Sequence, residues 1–189
     1  MAHAQRKELN TEGLHKDRPS SISTWTGRRV EPLALKASDV SIYDIAHALA
    51  RQCRYNGHCF GHLSVARHSI WVSGLVETWT KDRHLALHGL LHDAAEAYLG
   101  DMVRPLKASP QMAAFRIADG KADRTLAEAF GLEFPQPDVI TEADRFVLNN
   151  TELSRPGGAR FSYDGDYRED EREFLARFNE LKEEARVSA

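Results

Sequence analysis

The densest run of chemistry-bearing side chains is His92-Asp93-Ala94-Ala95-Glu96, an imidazole and two carboxylates within five residues. It interrupts an apolar stretch in which Leu85, Leu87, Leu90, Leu91 and Ala94 spread around much of a helical circumference, a pattern that predicts a central, buried helix. On a helix Glu96, four residues after His92, returns to the same face. Ionisable groups there are costly to desolvate unless they are paired or coordinate a metal. One solution is an internal salt-bridge and capping network with Arg104 or Lys107. The other is a metal, which needs more ligands than one helical turn supplies. His68 falls three residues after Val65 and four before Val72, inside a second apolar stripe, where it reads equally as a satisfied core histidine. Asp144, in Glu142-Ala143-Asp144-Arg145, reads equally as half of a surface ion pair. Taken together, two His and two carboxylates from three helices would make a mixed N/O site for Zn²⁺, Mn²⁺, Co²⁺ or Fe²⁺, with positions left for water and phosphate.

The elements that must carry these residues read as helices throughout, with no strand pattern. Ser41 suits a helix N-cap, followed to about Arg51 by a stripe of Ile42, Ile45, Ala46, Leu49 and Ala50. Ser64 starts a second helix, in which Val65, Val72, Leu75 and Val76 recur at helical spacing, and Ile70 and Trp71 widen the apolar face. Asp82 starts the third, which the pattern extends to a Gly100 cap. Ser109–Pro110 opens a fourth that stops at Gly131. Asp138 or Thr141 starts a fifth, to about Leu153, and a charged helix at about Arg168–Arg186 closes the chain. The prediction is an all-α bundle of five to six helices over residues 37–189, preceded by an N-terminal arm over 1–36. Trp25 is expected to anchor that arm against the helices, with Arg28 or Arg29 within reach of a phosphate. The Gly157–Gly158 stretch reads as an ordinary connecting loop rather than a lid.

Composition narrows the function classes. The 189 residues suit one domain and can bury about 70% of the unfolded surface, so folding needs no disulfide or structural metal. A net charge of −3 argues against wholesale nucleic-acid or anionic-membrane binding. Charge is uneven, +3 over residues 1–36 and −4 over 161–189. Nine His against two Cys exclude a disulfide scaffold or Cys-rich zinc module, so Cys53 and Cys59 read as free thiols in a reducing compartment. The absence of an apolar leader or bilayer-length segment predicts a cytoplasmic protein. No Gly-rich phosphate loop, His-Glu-x-x-His helix or nucleophile elbow is present.

A His, a His-Asp pair 24 residues on and a distant Asp, all on helices, resemble the HD-domain metal-dependent phosphohydrolases. The nearest likeness is to the small 5′-deoxynucleotidases and phage-type deoxynucleoside triphosphohydrolases. It runs from about Trp25 to Glu152 and is carried by Cys53-Arg54-Tyr55-Asn56-Gly57-His58, Ser64-Val65-Ala66-Arg67-His68-Ser69, Leu91-His92-Asp93-Ala94-Ala95-Glu96-Ala97 and Glu142-Ala143-Asp144. The resemblance implies one divalent metal (Co, Mn, Zn, Fe or Mg) held by His68, His92, Asp93 and Asp144. It places Glu96 at the acid/base carboxylate, Arg54 and Lys107 at phosphate-binding positions, and Asp101 near the substrate sugar or catalytic water. Tyr55 stands where the 5′-deoxynucleotidases carry a Trp that disfavours a 2′-hydroxyl, a departure from the family's pattern at the position that sets the deoxyribose preference.

The resemblance implies hydrolysis of a nucleotide, a deoxynucleoside mono- or triphosphate first, by metal-activated water. An alarmone or cyclic-nucleotide hydrolase, or a silent nucleotide sensor, are the alternatives. A homodimer or larger homo-oligomer is the expected assembly. His58 and His62 either touch substrate or cap their loop, with His58 the one assigned to substrate. His88 reads as a supporting or core residue although His84, His88 and His92 share one stripe, His47 as core-edge packing, and His3 and His15 as solvated.

Overall fold

The computed structural model describes residues 20–59, 61–152, 163 and 165–187; His3, His15 and the Gly157–Gly158 stretch lie outside them. Among the described residues the fold is all-α. Its helices are α1 (Ile42–Arg51), α2 (Val65–Thr80), α3 (Arg83–Leu91), α4 (Glu96–Leu99), α5 (Arg104–Lys107), α6 (Ala113–Phe130), α7 (Asp138–Val147) and α8 (Tyr167–Val187). Six match the expected long helices, and α4 and α5 are single added turns. No described helix is long and apolar enough to cross a membrane.

Local chemistry fixes the starts. The Ser64 hydroxyl accepts from the Arg67 amide at 3.0 Å, and the Asp82 carboxylate accepts from the amides of His84 and Leu85. Ser41 occupies the N-cap of α1 without making a side-chain cap bond. Two departures from the sequence reading matter. A hairpin pairs β1 (Ile22–Ser23) with β2 (Arg29–Val30), strands too short to show a period. Trp25, between them, stacks on His47 with centroids 4.1 Å apart, and Thr26 donates through both its amide and its hydroxyl to the buried Asp44. The arm is thereby fastened to α1.

The second departure is the end of α3. The helix does not run on through the His-Asp pair; it stops at Leu91, and residues 92–95 form a tighter turn. There the bonds shorten to the three-residue pattern, from Ala94 to Leu91, Glu96 to Asp93, Ala97 to Ala94 and Tyr98 to Ala95. Side chains three apart eclipse in such a turn. Asp93 and Glu96, rather than His92 and Glu96, therefore share a face.

The main core gathers Ile45, Leu49, Ala66, Leu87, Leu90, Phe174 and Leu181 from α1, α2, α3 and α8. A second cluster joins Val72 and Val76 of α2 to Ile140, Ala143 and Val147 of α7. Close approach of α2 and α3 depends on Gly89, where a Cβ would stand 3.2 Å from Val76 Cγ2 and 3.3 Å from Ser73 Cα. That approach brings His68 beside His92, and the second cluster brings Asp144, next to Ala143, toward His68.

The start of α2 is also tied to α8. Asp170, fully buried, accepts from the Ser64 hydroxyl, from Arg67 Nε at 2.9 Å and Nη2 at 2.8 Å, and from the Tyr163 hydroxyl at 2.9 Å. Asp170→Ala leaves Arg67 with the half-exposed Glu173 alone and strips the Ser64 and Tyr163 hydroxyls of their buried acceptor. The expected loss is about 3–5 kcal/mol of stability, read by urea unfolding; a change within 1 kcal/mol (about the worth of a surface pair) would show that the network carries no such weight.

Candidate functional site

Three donor atoms from α2 and the tight turn meet, and a fourth from α7 reaches one of them. His68 Nε2 lies 3.3 Å from His92 Nε2, 3.7 Å from Asp93 Oδ2 and 3.2 Å from Asp144 Oδ1. His92 Nε2 lies 3.1 Å from Asp93 Oδ2. The ligating atoms of His68, His92 and Asp93 all fall within 4.8 Å of one another, and Asp144 joins through its contact with His68. The other His92 nitrogen, Nδ1, donates to the Gly89 carbonyl at 2.9 Å. A ring fixed that way turns Nε2 toward the cluster, the nitrogen that a metal would take once it gives up its proton.

The charges follow from the packing. Burial works against the Asp93 carboxylate, but the His92 and His68 rings and the Arg54 guanidinium outweigh it and hold the group far below the ordinary range. Burial likewise opposes a proton on His92, and Asp93 and Asp144 more than restore it. Asp144 is pushed up by burial and pulled lower by its bond to His68 and the His92 charge. Asp144 also meets Arg104 at 3.3 Å and Asp93 meets Arg54 at 3.6 Å. The His-Asp pair is thus not closed by Arg104 or Lys107.

Beside the cluster lies a cavity of about 530 Å³, lined by Arg54, Tyr55, Asp93, Glu96, Asp101, Lys107 and Asp144 among others. Glu96 is its distinctive acid. Burial, then the charges of Asp93 and Asp101, push it up to about 10, and its buried Oε2 has no hydrogen-bond partner. Asp101 is also raised, chiefly by burial. Lys107 stays charged against burial because Asp119 Oδ2 sits 2.6 Å from its amine. Arg54 and Tyr55 are delivered by the turn Arg54–Gly57, where Tyr55 (φ 59°) and Asn56 (φ 53°) are left-handed. Such backbone in an aromatic residue is rare and concentrates at functional sites.

His58 is not brought to this cavity: it is exposed and caps the Arg54–Gly57 turn, its amide bonding the Tyr55 carbonyl at 3.0 Å. His62 caps the loop through its ring, 2.9 Å from the Ala50 carbonyl. His88 is buried, pushed down to about 4 by burial and the neighbouring His92 and His84 charges, and lines a second cavity of about 260 Å³ behind His92. Asp123 lines it too, raised to about 7 by burial and the Asp119 charge.

Three contributors carried no sequence signal. Arg116 lines the main cavity and donates to the Lys107 and Ser109 carbonyls. Asp119 pairs with Lys107 across twelve residues. Gln52 donates from Nε2 to the Glu96 carbonyl and accepts at Oε1 from the Asp101 amide, both at 2.9 Å. An isolated Gln before Cys53 has nothing in its spacing to show that it bridges two other segments.

The chain is 32% identical over 129 residues to the uncharacterized protein YfdR of Escherichia coli (strain K12), a match spanning 68% of each chain. It is 38% identical over 127 residues to the uncharacterized protein RCAP_rcc00048 of Rhodobacter capsulatus, covering 61% of this chain and 58% of that one. No family model matches. The chain belongs to the same family as YfdR.

Proposed function

We propose that this member of the YfdR family is a metal-dependent phosphohydrolase acting on nucleotides. The observation that carries the reading is the meeting of His68, His92 and Asp93, with Asp144 against His68, at the edge of a cavity that also holds the buried Glu96 and a cationic Arg54. The donor set fits a divalent cation: two imidazoles, one with its tautomer fixed from behind, and two carboxylates kept ionised. When bound, such a cation polarises a phosphoryl oxygen and lowers the pKa of water toward neutrality.

The residues divide the remaining work. The cavity volume falls within the range of about 300–1,000 Å³ usual for small-molecule sites. Arg54, Lys107, Arg104 and Arg116 line it and offset the charge of a phosphate. Glu96, raised to about 10 in the metal-free fold, is suited to pass a proton to a leaving oxygen. Asp101, held through its amide by Gln52, lines the same wall and is suited to a sugar hydroxyl.

The test is phosphate, pyrophosphate and triphosphate release across dNMPs, NMPs, dNTPs and NTPs with Mn²⁺, Co²⁺ and Mg²⁺, with metal content measured on the same samples. Release from one nucleotide class with one metal per chain supports the reading. Silence across the panel with metal bound overturns hydrolysis of these nucleotides and leaves a nucleotide sensor or a substrate outside the panel. Arg54→Ala is expected to weaken nucleotide binding by about 10–100-fold, the worth of a hydrogen bond to a charged group. Arg54→Lys should restore part of it, since a point charge replaces the guanidinium fork. Equal binding by wild type and Arg54→Ala in titration calorimetry would remove Arg54 from the phosphate site.

A further inference from the structure

Cys53 and Cys59 bracket the turn that carries Arg54 and Tyr55 to the cavity, and their sulfur atoms lie 3.5 Å apart. Both are partly exposed free thiols. We propose that the pair is a reversible disulfide site whose closure staples the base of the Arg54–Tyr55 loop and so couples the anion-binding side of the cavity to redox conditions. The functional consequence rests on the reading of Arg54 given above; the sulfur chemistry does not.

Three observations converge on this pair. The enclosed turn is strained, with Tyr55, Asn56 and Gly57 left-handed in succession (φ 59°, 53° and 77°), a run that must be held from outside. Its base is held on one side by backbone, Arg54 to Leu63 at 2.9 Å and Val65 to Gln52 at 3.0 Å. On the other side, among the described residues, Cys59 holds the base through its sulfur, to the Gly61 carbonyl at 3.4 Å and the Arg54 carbonyl at 3.8 Å. Cys53 also sits between Gln52, which holds the Glu96 carbonyl and the Asp101 amide, and Arg54, which lines the cavity. A bond at Cys53 therefore acts on both walls. The sulfurs are already in contact, so reaching a bonded separation of about 2.05 Å needs a small movement.

A disulfide of the glutathione type supplies the oxidant. Burial pushes the Cys53 thiol up, so Cys59 is the attacking sulfur. Its thiolate displaces one glutathione thiolate and forms a mixed disulfide. The Cys53 thiolate then attacks the Cys59 sulfur and displaces the second. Two protein thiols lose two electrons, the glutathione disulfide becomes two thiols, and these take up the two protons.

The test equilibrates the full chain, without metal or nucleotide, in glutathione buffers from reducing to oxidising. Unreacted thiols are then alkylated, the disulfide is mapped by peptide mass, and amide hydrogen exchange is followed over residues 54–59. The expected result is a Cys53–Cys59 bond within one chain, reversed by dithiothreitol, with exchange in the turn slowed by about tenfold or more. Cys53→Ser should stop at a glutathione adduct on Cys59, because the resolving thiol is gone. Full alkylation of both cysteines across the buffer range, a bond between two chains, or a bond that leaves exchange unchanged would each overturn the proposal. None of these readouts involves hydrolysis, so their failure is distinct from failure of the phosphohydrolase reading.

Discussion

Asp93→Ala should leave the chain folded, without bound divalent metal, and slowed in phosphate release by about 10³-fold or more, the several kcal/mol that a bound cation contributes to such chemistry. Asp93 Oδ2 lies 3.1 Å from His92 Nε2 and 3.7 Å from His68 Nε2, so among the described residues it is the carboxylate in contact with both rings. Asp144 reaches His68 and also pairs with Arg104, and cannot replace it. Without Asp93, two imidazole nitrogens 3.3 Å apart lose the negative charge that lets them face each other. Asp93→Asn keeps the shape and removes the charge, so it should fail alike. The measurements are metal content of the purified chain and phosphate release, with circular dichroism to establish folding. One metal per chain and near wild-type release in either variant would mean that the cluster is not the metal site.

The acid sensitivity of the metal-free chain follows from the same group. A carboxyl held below its ordinary range adds stability that is present above that range and is lost as pH falls through the lowered value. Asp144 acts in the same direction. Asp93→Asn should therefore remove part of the acid-induced fall in stability.

Legibility in the sequence tracked how local each signal was. Helix starts at Ser64 and Asp82 and the stop at Gly131 were readable because a cap is settled within three residues of the chain. The stripe of α1 predicted the burial of Ile45, Ala46, Leu49 and Ala50 because a helix facing one core repeats its apolar positions. The break after Leu91 was not readable. Residues 92–95 contain no Gly or Pro to break a helix, and it is their i→i+3 bonds that distinguish the turn. Within the site, the residue types of His68, His92, Asp93 and Asp144 marked them out, but their meeting depends on the contact at Gly89 and on the docking of α7. Gln52, Arg116 and Asp119 went unseen because each acts across distant segments, through backbone atoms or one ion pair, with no motif of its own. His58 closes the same motif as Arg54, yet the left-handed run leaves it exposed at the end of the turn and not among the residues that line the cavity.

Glu96→Gln should retain metal and nucleotide binding while slowing hydrolysis by about 10²–10⁴-fold, the usual contribution of a positioned acid or base. Gln preserves the shape of the side chain and removes the transferable proton, so a loss confined to turnover separates proton transfer from binding. The same variant has a signature in stability. Burial, with the charges of Asp93 and Asp101, raises Glu96 from 4.5 to about 10 in the metal-free fold. Between those values the folded chain keeps a proton that the unfolded chain releases. The contribution is complete below pH 4.5 and is lost as pH rises toward 10. Relative to Glu96→Gln, the wild type should lose stability across that window by up to about 1.4 kcal/mol per pH unit. Urea unfolding of both chains at a series of pH values reads the difference directly. Parallel curves would show that Glu96 is ionised at neutral pH in the folded chain, which would exclude it as the proton donor and leave the leaving oxygen to be protonated by another group.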